Sequence, residues 1–431
     1  MKNYTTVIAK MMNKKTTIII ALISSMQLSG QKPTLFIGAT AHIGNGKVIE
    51  NSAVSVKENK FDLVADLSVI RIDPNAFDTI YKVYGKHIYP SFILPNTTLG
   101  ITEIDAVRAT HDYRETGNIN PNIRSLIAYN TDSKLTKTVR SNGVLVAQVT
   151  PRGGLVSGQS SIMYLAGDNW EDAALKADDG IHINWPNSYY NTGWWAEPGK
   201  TKKNKKYQNN IETFQQLFSK ARAYALSSNV MDLKMESMVG LFNGTKNLYI
   251  HANSASDMRD AINFSEKHEI KNIIIVGGED AIDIAPYLIE KKIPLILNRV
   301  HRLPKSQDSP VDEPFTQAKK LTDLGVLFCL SYEGDMEAMG ARNLSFTAGT
   351  TVAYGQKYEN AVQSITLNTA KILGIDNILG SIESGKNATF FISSGDALDM
   401  RTNNIEQAFI NGVSIDLNNH QKELFKKYKK K

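Results

Sequence analysis

The sequence predicts an α/β protein whose larger part is a (β/α)8 barrel, and three observations lead to this fold class. From residue 248 onward, short apolar segments alternate with segments of helical spacing. The apolar segments are continuous, which is typical of parallel strands covered on both faces. Such repeats fill about 290 residues, which suits a barrel of this kind. A doubly wound sheet is the alternative, but the glycine-rich turn that it needs after its first strand is absent.

Individual elements of the barrel can be read from local patterns. Ser254 is predicted to cap a helix, since it is followed by Asp257 and then by apolar residues at helical spacing. A second helix is expected to place Ala281, Ile284 and Leu288 on one face. The predicted strands lie at residues 248–251, 273–276, 294–297 and 326–330.

The two ends of the chain show a different pattern. Residues 33–89 contain short alternating segments with Gly and Asn between them, and residues 388–392 and 407–412 repeat this pattern. Alternation with such turn residues is typical of antiparallel strands. Both ends are therefore predicted to form β structure outside the barrel.

Composition and charge exclude several classes of protein. The chain has 431 residues and a single cysteine, Cys329, which rules out an internal disulfide and a Cys-rich zinc module. The formal net charge is +6, but residues 1–30 carry +4 and residues 420–431 carry +5, which leaves −3 on the rest. A weakly negative body is poor support for a nucleic-acid-binding surface. No nucleic-acid partner is expected.

The first 30 residues are typical of an export signal. Lys14 and Lys15 precede an apolar run over 16–26, and Gly30 offers a plausible cleavage point. The run is shorter than the about 20 apolar residues that span a membrane. Residue 31 is Gln rather than Cys, so no lipid anchor is expected. We expect a periplasmic or secreted protein without a membrane span; a buried N-terminal strand or helix is the alternative.

Two further segments have unusual composition. Residues 187–195 are rich in Tyr and Trp and are expected to pack over the barrel or to line a pocket mouth. Residues 200–206 are rich in lysine and are interpreted as a solvated insertion loop. The basic tail over 418–431 is interpreted as solubilising, with an anionic surface as the alternative partner.

Several motifs resemble one known family. Residues 89–100, YPSFILPNTTLG, are similar to the first-strand motif of the amidohydrolase superfamily, imidazolonepropionase-like branch, which reads Pro-Gly-Leu-Ile-Asp-x-His-x-His-Leu-Gly. Residues 366–374, TLNTAKILG, and 379–388, LGSIESGKNA, resemble its closing signature. The resemblance implies a barrel over 88–370, a β-sandwich built from 31–87 and 371–417, and hydrolysis of C–N bonds.

The family resemblance also implies a divalent metal, but this chain departs from the ligand pattern. The paired first-strand histidines correspond to Asn96 and Thr98, which are weak ligands for zinc. His251 stands at the fifth-strand position, and the sixth-strand region, residues 275–278, contains no histidine. His301 is an additional polar group at the same rim. No metal is expected, and zinc would bind only if His251 and His301 formed a functional residual site.

Two functions remain open from the sequence. The first is an exported amidohydrolase-like enzyme with weak or no metal-dependent activity, whose candidate catalytic carboxylates are Glu333 and Asp335 after the predicted eighth strand. The second is a non-catalytic relative that binds a ligand or pairs with an active paralogue. In both cases the expected ligand is a small molecule or is peptide-like. The remaining six histidines, among them His182, show no pair spacing and are interpreted as surface or packing residues.

Overall fold

The computed structural model describes residues 32–194, 196–227, 230–306 and 308–429, with only the backbone of Pro198. The expected export signal therefore lies outside the described residues. No helix within these ranges is both long and apolar enough to cross a membrane.

The described chain contains twenty strands. They are β1 (Thr34–Ile37), β2 (Thr40–His42), β3 (Val48–Ile49), β4 (Ser52–Lys57), β5 (Lys60–Asp66), β6 (Thr79–Lys82), β7 (His87–Pro90), β8 (Phe92–Thr97), β9 (Val144–Val149), β10 (Val156–Tyr164), β11 (Ala174–Asn184), β12 (Tyr189–Trp194), β13 (Glu197–Lys203), β14 (Asn247–Ala252), β15 (Ile273–Gly277), β16 (Leu295–Leu297), β17 (Phe328–Leu330), β18 (Phe390–Ser393), β19 (Ile405–Ile410) and β20 (Val413–Ser414).

The same ranges contain twelve α-helices. They are α1 (Lys134–Arg140), α2 (Trp170–Ala173), α3 (Tyr207–Leu226), α4 (Leu233–Asn243), α5 (Ala255–Lys267), α6 (Ala285–Glu290), α7 (Glu313–Leu324), α8 (Glu337–Gly340), α9 (Leu344–Ala353), α10 (Tyr358–Ser364), α11 (Leu367–Leu373) and α12 (His420–Tyr428). Short 3-10 helices lie at Pro74–Ala76, Arg108–Thr110, Ser125–Ala128, Ala281–Ile284 and Ala341–Asn343.

Eight strands form the barrel sheet, in the order β8-β9-β10-β11-β14-β15-β16-β17. Strands β14 to β17 are parallel, as predicted, and their continuous apolar residues are buried. The helix that was predicted after Ser254 is also present, and the Ser254 Oγ accepts the backbone N–H of Asp257 at 3.1 Å. The expectation of a barrel is therefore confirmed.

One strand departs from a regular (β/α)8 pattern. β10 runs antiparallel to both of its neighbours, β9 and β11. The physical reason is the length of the connections, since β9 ends at Val149 and β10 begins at Val156. A crossover between parallel strands needs a dozen or more residues, so the chain turns back instead. This part of the barrel is an antiparallel meander.

The barrel is nearly closed. β8 and β17 are the two end strands of the sheet and do not pair with each other. The N–H of Ile93 donates to the carbonyl of Ile365 at 2.8 Å, and the Asn368 side chain donates to the carbonyl of Phe328 at 3.1 Å. The start of α11 therefore bridges the gap between the first and the last strand.

The two chain ends meet outside the barrel in a pair of sheets. One sheet has the order β5-β4-β1-β6, and the other has the order β20-β19-β18-β7-β2-β3. Tyr89 in β7 lies opposite Phe391 in β18, although these strands are distant in sequence. Phe36 and Phe390 pack edge to face, with ring centroids 5.3 Å apart. The fold class, a barrel with a small β domain built from both ends, is confirmed.

The prediction of a loop at residues 200–206 is wrong for its first part. Lys200 to Lys203 belong to β13, which forms an antiparallel hairpin with β12. Tyr190 lies opposite Lys202, and Tyr189 lies opposite Lys203. Tyrosine and threonine favour extended backbone. Pairing with β12 also gives the backbone N–H and C=O groups of the lysine-rich segment hydrogen-bond partners within the protein, which they would otherwise find only in water.

Candidate functional site

Polar side chains gather at the mouth of the barrel, where the parallel strands end. Asn96 lies near the end of β8, and Arg152 follows β9. His251 lies near the end of β14, and Glu333 and Glu337 follow β17. Ligand sites of such barrels lie at this end because the loops that follow the strands converge there. This arrangement makes the mouth the candidate site.

Arg152 is the centre of the first cluster of side chains. Its Nη1 donates to Asn96 Oδ1 at 2.8 Å, and its Nη2 donates to the Asn96 carbonyl at 2.8 Å and to Glu337 Oε1 at 2.9 Å. Glu337 also accepts the backbone N–H groups of Thr98, at 3.1 Å, and Gly334, at 3.3 Å. The guanidinium therefore holds the end of β8 against the loop after β17.

Asn96 has an unusual backbone that shapes this cluster. Its φ is +50°, in the left-handed region, where asparagine is tolerated better than most residues. The pairing of β8 with β9 shifts register between Leu94 and Thr97. The alternation of side chains along an extended strand therefore does not carry across Asn96 to Thr98. The Asn96 side chain instead points to Arg152 and, through Nδ2, to Glu333 Oε2 at 2.5 Å.

Glu333 is a carboxyl group with a perturbed environment. Burial raises its pKa, and the nearby Glu337 carboxylate raises it further, whereas Arg152 and the Asn96 hydrogen bond act in the opposite direction. A buried carboxyl with a raised pKa is the kind of group that acts as a general acid or base in enzymes.

A second cluster lies deeper in the barrel, around Asp179 of β11. Asp179 is buried and accepts three hydrogen bonds, from Ser160 at 2.6 Å, Tyr249 at 2.6 Å and Gln148 at 3.1 Å. Burial raises its pKa, and the hydrogen bonds from Ser160 and Gln148 oppose that change. The Gln148 side chain also accepts the Asn96 N–H at 3.0 Å. The two clusters are therefore continuous through Gln148.

The hydrogen bonds of this second cluster determine the tautomers of two histidines. Because the Ser160 hydroxyl donates to Asp179, its oxygen accepts from His182 Nε2 at 2.9 Å. His182 Nδ1, left without a proton, then accepts from His251 Nε2 at 3.0 Å. The Nδ1 lone pair of His251 has no hydrogen-bond partner within the described chain, and its ring is partly exposed. A buried chain from Asp179 thus orients His251 toward the mouth.

Both histidines are neutral at neutral pH. Burial lowers the pKa of His251 to about 3, and the Arg152 charge adds to this effect. Burial also lowers the pKa of His182, to which His251 and Arg152 contribute. His251 can therefore accept a hydrogen bond from a ligand or a water molecule, but it does not carry a charge.

Not every residue expected at the site takes part in it. His301 bonds to Thr350 of α9 at 2.7 Å, and Asp335 is exposed, with its carbonyl accepting from Arg299 at 3.3 Å. Neither side chain has a hydrogen bond to the two clusters within the described ranges. Thr98 contributes its backbone N–H, rather than its hydroxyl, to Glu337.

Sequence reasoning missed Arg152, Glu337 and the buried group around Asp179. His182 was interpreted from the sequence only as a surface or packing residue. The rule that charged residues just after barrel strands belong to the mouth could have found Arg152 and Glu337. Nothing in the local sequence indicates that Asp179, Ser160 and His182 hydrogen-bond to one another.

Comparison with known proteins agrees with the fold and finds a family match in the C-terminal half of the barrel. Residues 266–415 match the model of the amidohydrolase family. An amidohydrolase from Thermotoga maritima MSB8 has a TM-score of 0.75 and 24% identity, covering 89% of this chain and 99% of that chain. No curated protein matches this chain. Residues 266–415 are therefore similar to the amidohydrolase family, which agrees with the resemblance that the motifs carry, and the solved structure agrees with the fold.

Two other solved structures have the same fold at lower similarity. A Xaa-Pro dipeptidase with methionine bound in its active site has a TM-score of 0.54 and 13% identity, covering 89% of this chain and 100% of that chain. A molinate hydrolase has a TM-score of 0.53 and 14% identity, covering 90% of this chain and 95% of that chain. At such identities the likeness concerns the fold.

The residues at the mouth do not fit the divalent metal that the amidohydrolase family usually binds. The Arg152 guanidinium bridges Asn96 and Glu337, and its positive charge would repel a cation placed beside it. Zinc prefers imidazole, thiolate and carboxylate ligands. Within the described ranges, no group of three His, Cys, Asp or Glu side chains is placed to hold a metal ion.

Proposed function

We propose that the protein is a hydrolase of C–N bonds in small amides or dipeptide-like molecules that acts without a tightly bound divalent metal. The observation that carries this proposal is the Arg152 cluster, which places a fixed positive charge at the mouth of an amidohydrolase barrel. The substrate class is supported by proteins of the same fold that are named as dipeptidase, prolidase and molinate hydrolase.

The proposed chemistry uses three side chains. Arg152, whose side chain is 19% exposed, stabilises negative charge on the carbonyl oxygen as water attacks the carbon. His251 is too weak a base to take the proton, since its pKa is about 3, and it orients the water through its Nδ1 lone pair. Glu333 takes the proton from water and returns it to the leaving nitrogen, which departs as an amine and leaves a carboxylic acid.

This proposal predicts different effects for two neighbouring carboxylates. With a panel of N-acyl amino acids and Xaa-Pro dipeptides, Glu333→Gln should reduce kcat/KM by about 10²–10⁴-fold, the usual contribution of a general acid or base. Asp335→Asn is the matched control, because Asp335 lies two residues away but is exposed, and its kcat/KM should remain within about twofold of wild type. Hydrolysis should be measured by liquid chromatography of the released amine.

The same assay tests whether the activity depends on a metal. Prior treatment with a chelator should leave the rate unchanged, and elemental analysis of the purified protein should find only trace zinc, manganese or iron. Loss of activity on chelation and its return with zinc would contradict the metal-independent reaction. Saturable binding of the same amides with no turnover would instead favour a non-catalytic ligand-binding protein.

Export is a separate proposal, which rests on residues 1–30. We expect protein purified from its native host to begin at or near Gln31, because the lysine pair, the apolar run and Gly30 form a complete signal pattern. N-terminal sequencing of the periplasmic and cytosolic fractions measures this. Intact Met1 in soluble cytosolic protein, with none processed, would contradict it.

A further inference from the structure

The hairpin formed by β12 and β13 stands apart from the chemistry of the barrel mouth. We define the lysine hairpin as residues 189–206. It follows β11, which runs parallel to β14 and ends at Asn184, so the hairpin emerges from the mouth side of the barrel. Its base is fixed by Asn204, whose N–H donates to the Ser188 carbonyl at 2.9 Å and whose side chain donates to the Asn187 carbonyl at 2.8 Å.

The lysine hairpin carries a concentrated positive charge. It contains five lysines and a single acidic residue, Glu197, whereas the chain between the two basic ends has a net charge of −3. All five lysines are exposed, and none forms a salt bridge within the described ranges. Charges left unpaired on a body of opposite sign indicate a surface that meets an anionic partner. The lysines are Lys200, Lys202, Lys203, Lys205 and Lys206.

Aromatic side chains lie beside these lysines. Tyr189 is 59% exposed and Tyr190 is 47% exposed, and the two lie opposite Lys203 and Lys202 across the hairpin. An isolated two-stranded hairpin is only marginally stable in water and has no core of its own to bury such rings. Exposed rings that lie beside lysines are typical of elements at a lipid–water interface.

A groove lies where β13 leads into α3. Its volume is ≈ 920 Å³, and its lining includes Tyr190, Tyr207 and the lysines at 202, 203, 205 and 206. A groove of this size and charge can receive phosphate-bearing headgroups, and a tyrosine ring beside it can contact the glycerol and upper acyl region of a lipid.

We propose that the lysine hairpin binds the surface of a membrane that contains anionic phospholipids. The hairpin supplies both attractions that such a surface offers: lysines for the phosphate layer and tyrosines for the interface. Single-stranded nucleic acids also bind basic grooves that carry aromatic side chains, so an oligonucleotide is included in the test; the exposure of both strands of the hairpin favours an extended surface as the partner. Docking by this surface would place the barrel mouth next to the membrane.

The test is sedimentation of the full chain with phosphatidylcholine vesicles that do or do not contain phosphatidylglycerol. We expect binding only to the anionic vesicles and its loss at high salt, because screening weakens the lysine contribution. Replacing Lys202, Lys203, Lys205 and Lys206 by Gln should lower the partition coefficient by about 600-fold, since each of the four lysines near such a surface contributes roughly fivefold. Tyr190→Ser should weaken binding at every salt concentration at which the wild type still binds.

A matched control removes the same charge elsewhere. Replacing Lys426, Lys427, Lys429 and Lys430 by Gln changes the net charge equally, and we expect less than about fivefold loss of binding. Circular dichroism should show that both variants keep the fold. Equal losses in the two variants would overturn the proposal in favour of net charge alone. Equal binding to neutral vesicles, tighter binding to a single-stranded DNA oligonucleotide, or full competition by inorganic phosphate would also overturn it.

Discussion

Arg152→Met should lower the free energy of unfolding by about 3–5 kcal/mol, the usual cost of removing one partner of a buried ion pair. The variant would leave the Glu337 carboxylate without its cation, and the side-chain and backbone oxygens of Asn96 without their donors. Glu333 would also lose the positive charge that opposes the rise in its pKa. Denaturant unfolding of the full chain measures the change.

Arg124→Met is the matched control for this prediction. Arg124 also pairs with a carboxylate, Asp178, at 2.9 Å, but its side chain is 40% exposed. Pairs of this kind contribute about 0–1 kcal/mol, so the control should be nearly as stable as wild type. The double variant Arg152→Met with Glu337→Gln should recover part of the loss, because it no longer buries an unpaired carboxylate. Equal stabilities of the two arginine variants would show that the cluster at the mouth is not formed in solution.

Stability should fall as the solution is acidified, because the structure keeps His251 and His182 neutral. The pKa of His251 is about 3 in the folded state, against about 6.5 in an unfolded chain. Below about pH 6.5 the histidine is protonated in the unfolded chain but remains neutral in the folded protein. The free energy of unfolding is therefore highest above about pH 6.5 and falls as the pH is lowered toward the folded pKa. For His251 alone the loss is about 2 kcal/mol between about pH 6.5 and pH 4.5.

A variant separates this contribution from those of other groups. Glu333 and Asp179 have raised pKa values and therefore act with the opposite sign, whereas His87 and His301 have lowered pKa values and act in the same direction. His251→Gln keeps a side-chain N–H that can donate to His182 but removes one titrating group. Its free energy of unfolding should depend less steeply on pH than that of wild type. Parallel pH curves for the two proteins would contradict the buried, neutral state of His251.

The local sequence determined which segments form strands and where helices begin. The continuous apolar residues of β14 to β17 are sufficient to predict parallel strands that are covered on both faces. Each buried position requires an apolar side chain, so the pattern is visible in the sequence itself. The helix after Ser254 was predictable for a similar reason, since its capping bond involves residues three positions apart. The family motifs added the composite β domain, which no local pattern indicates.

The family resemblance located part of the site from the sequence. It pointed to Asn96, His251 and Glu333, all of which lie at the mouth of the barrel. It did not foresee that the left-handed backbone of Asn96 turns its side chain toward Arg152 and Glu333. Whether a strand remains regular through its last residues depends on its neighbours in the sheet, and here the register shifts between β8 and β9.

Only the tertiary structure decided which polar groups meet. Arg152 and Glu337 are 185 positions apart, and Tyr249 and Asp179 are 70 positions apart. The sequence around a charged or polar residue does not indicate which distant residue it will contact. The burial of an apolar residue can be predicted, because it can pack against any apolar neighbour. The direction of β10 was likewise determined by the short connection and by pairing within the sheet. The sequence therefore determined the barrel and the β structure at both chain ends. Three-dimensional packing determined the chemistry at the mouth of the barrel, because hydrogen bonds and ion pairs depend on the position and direction of both partners.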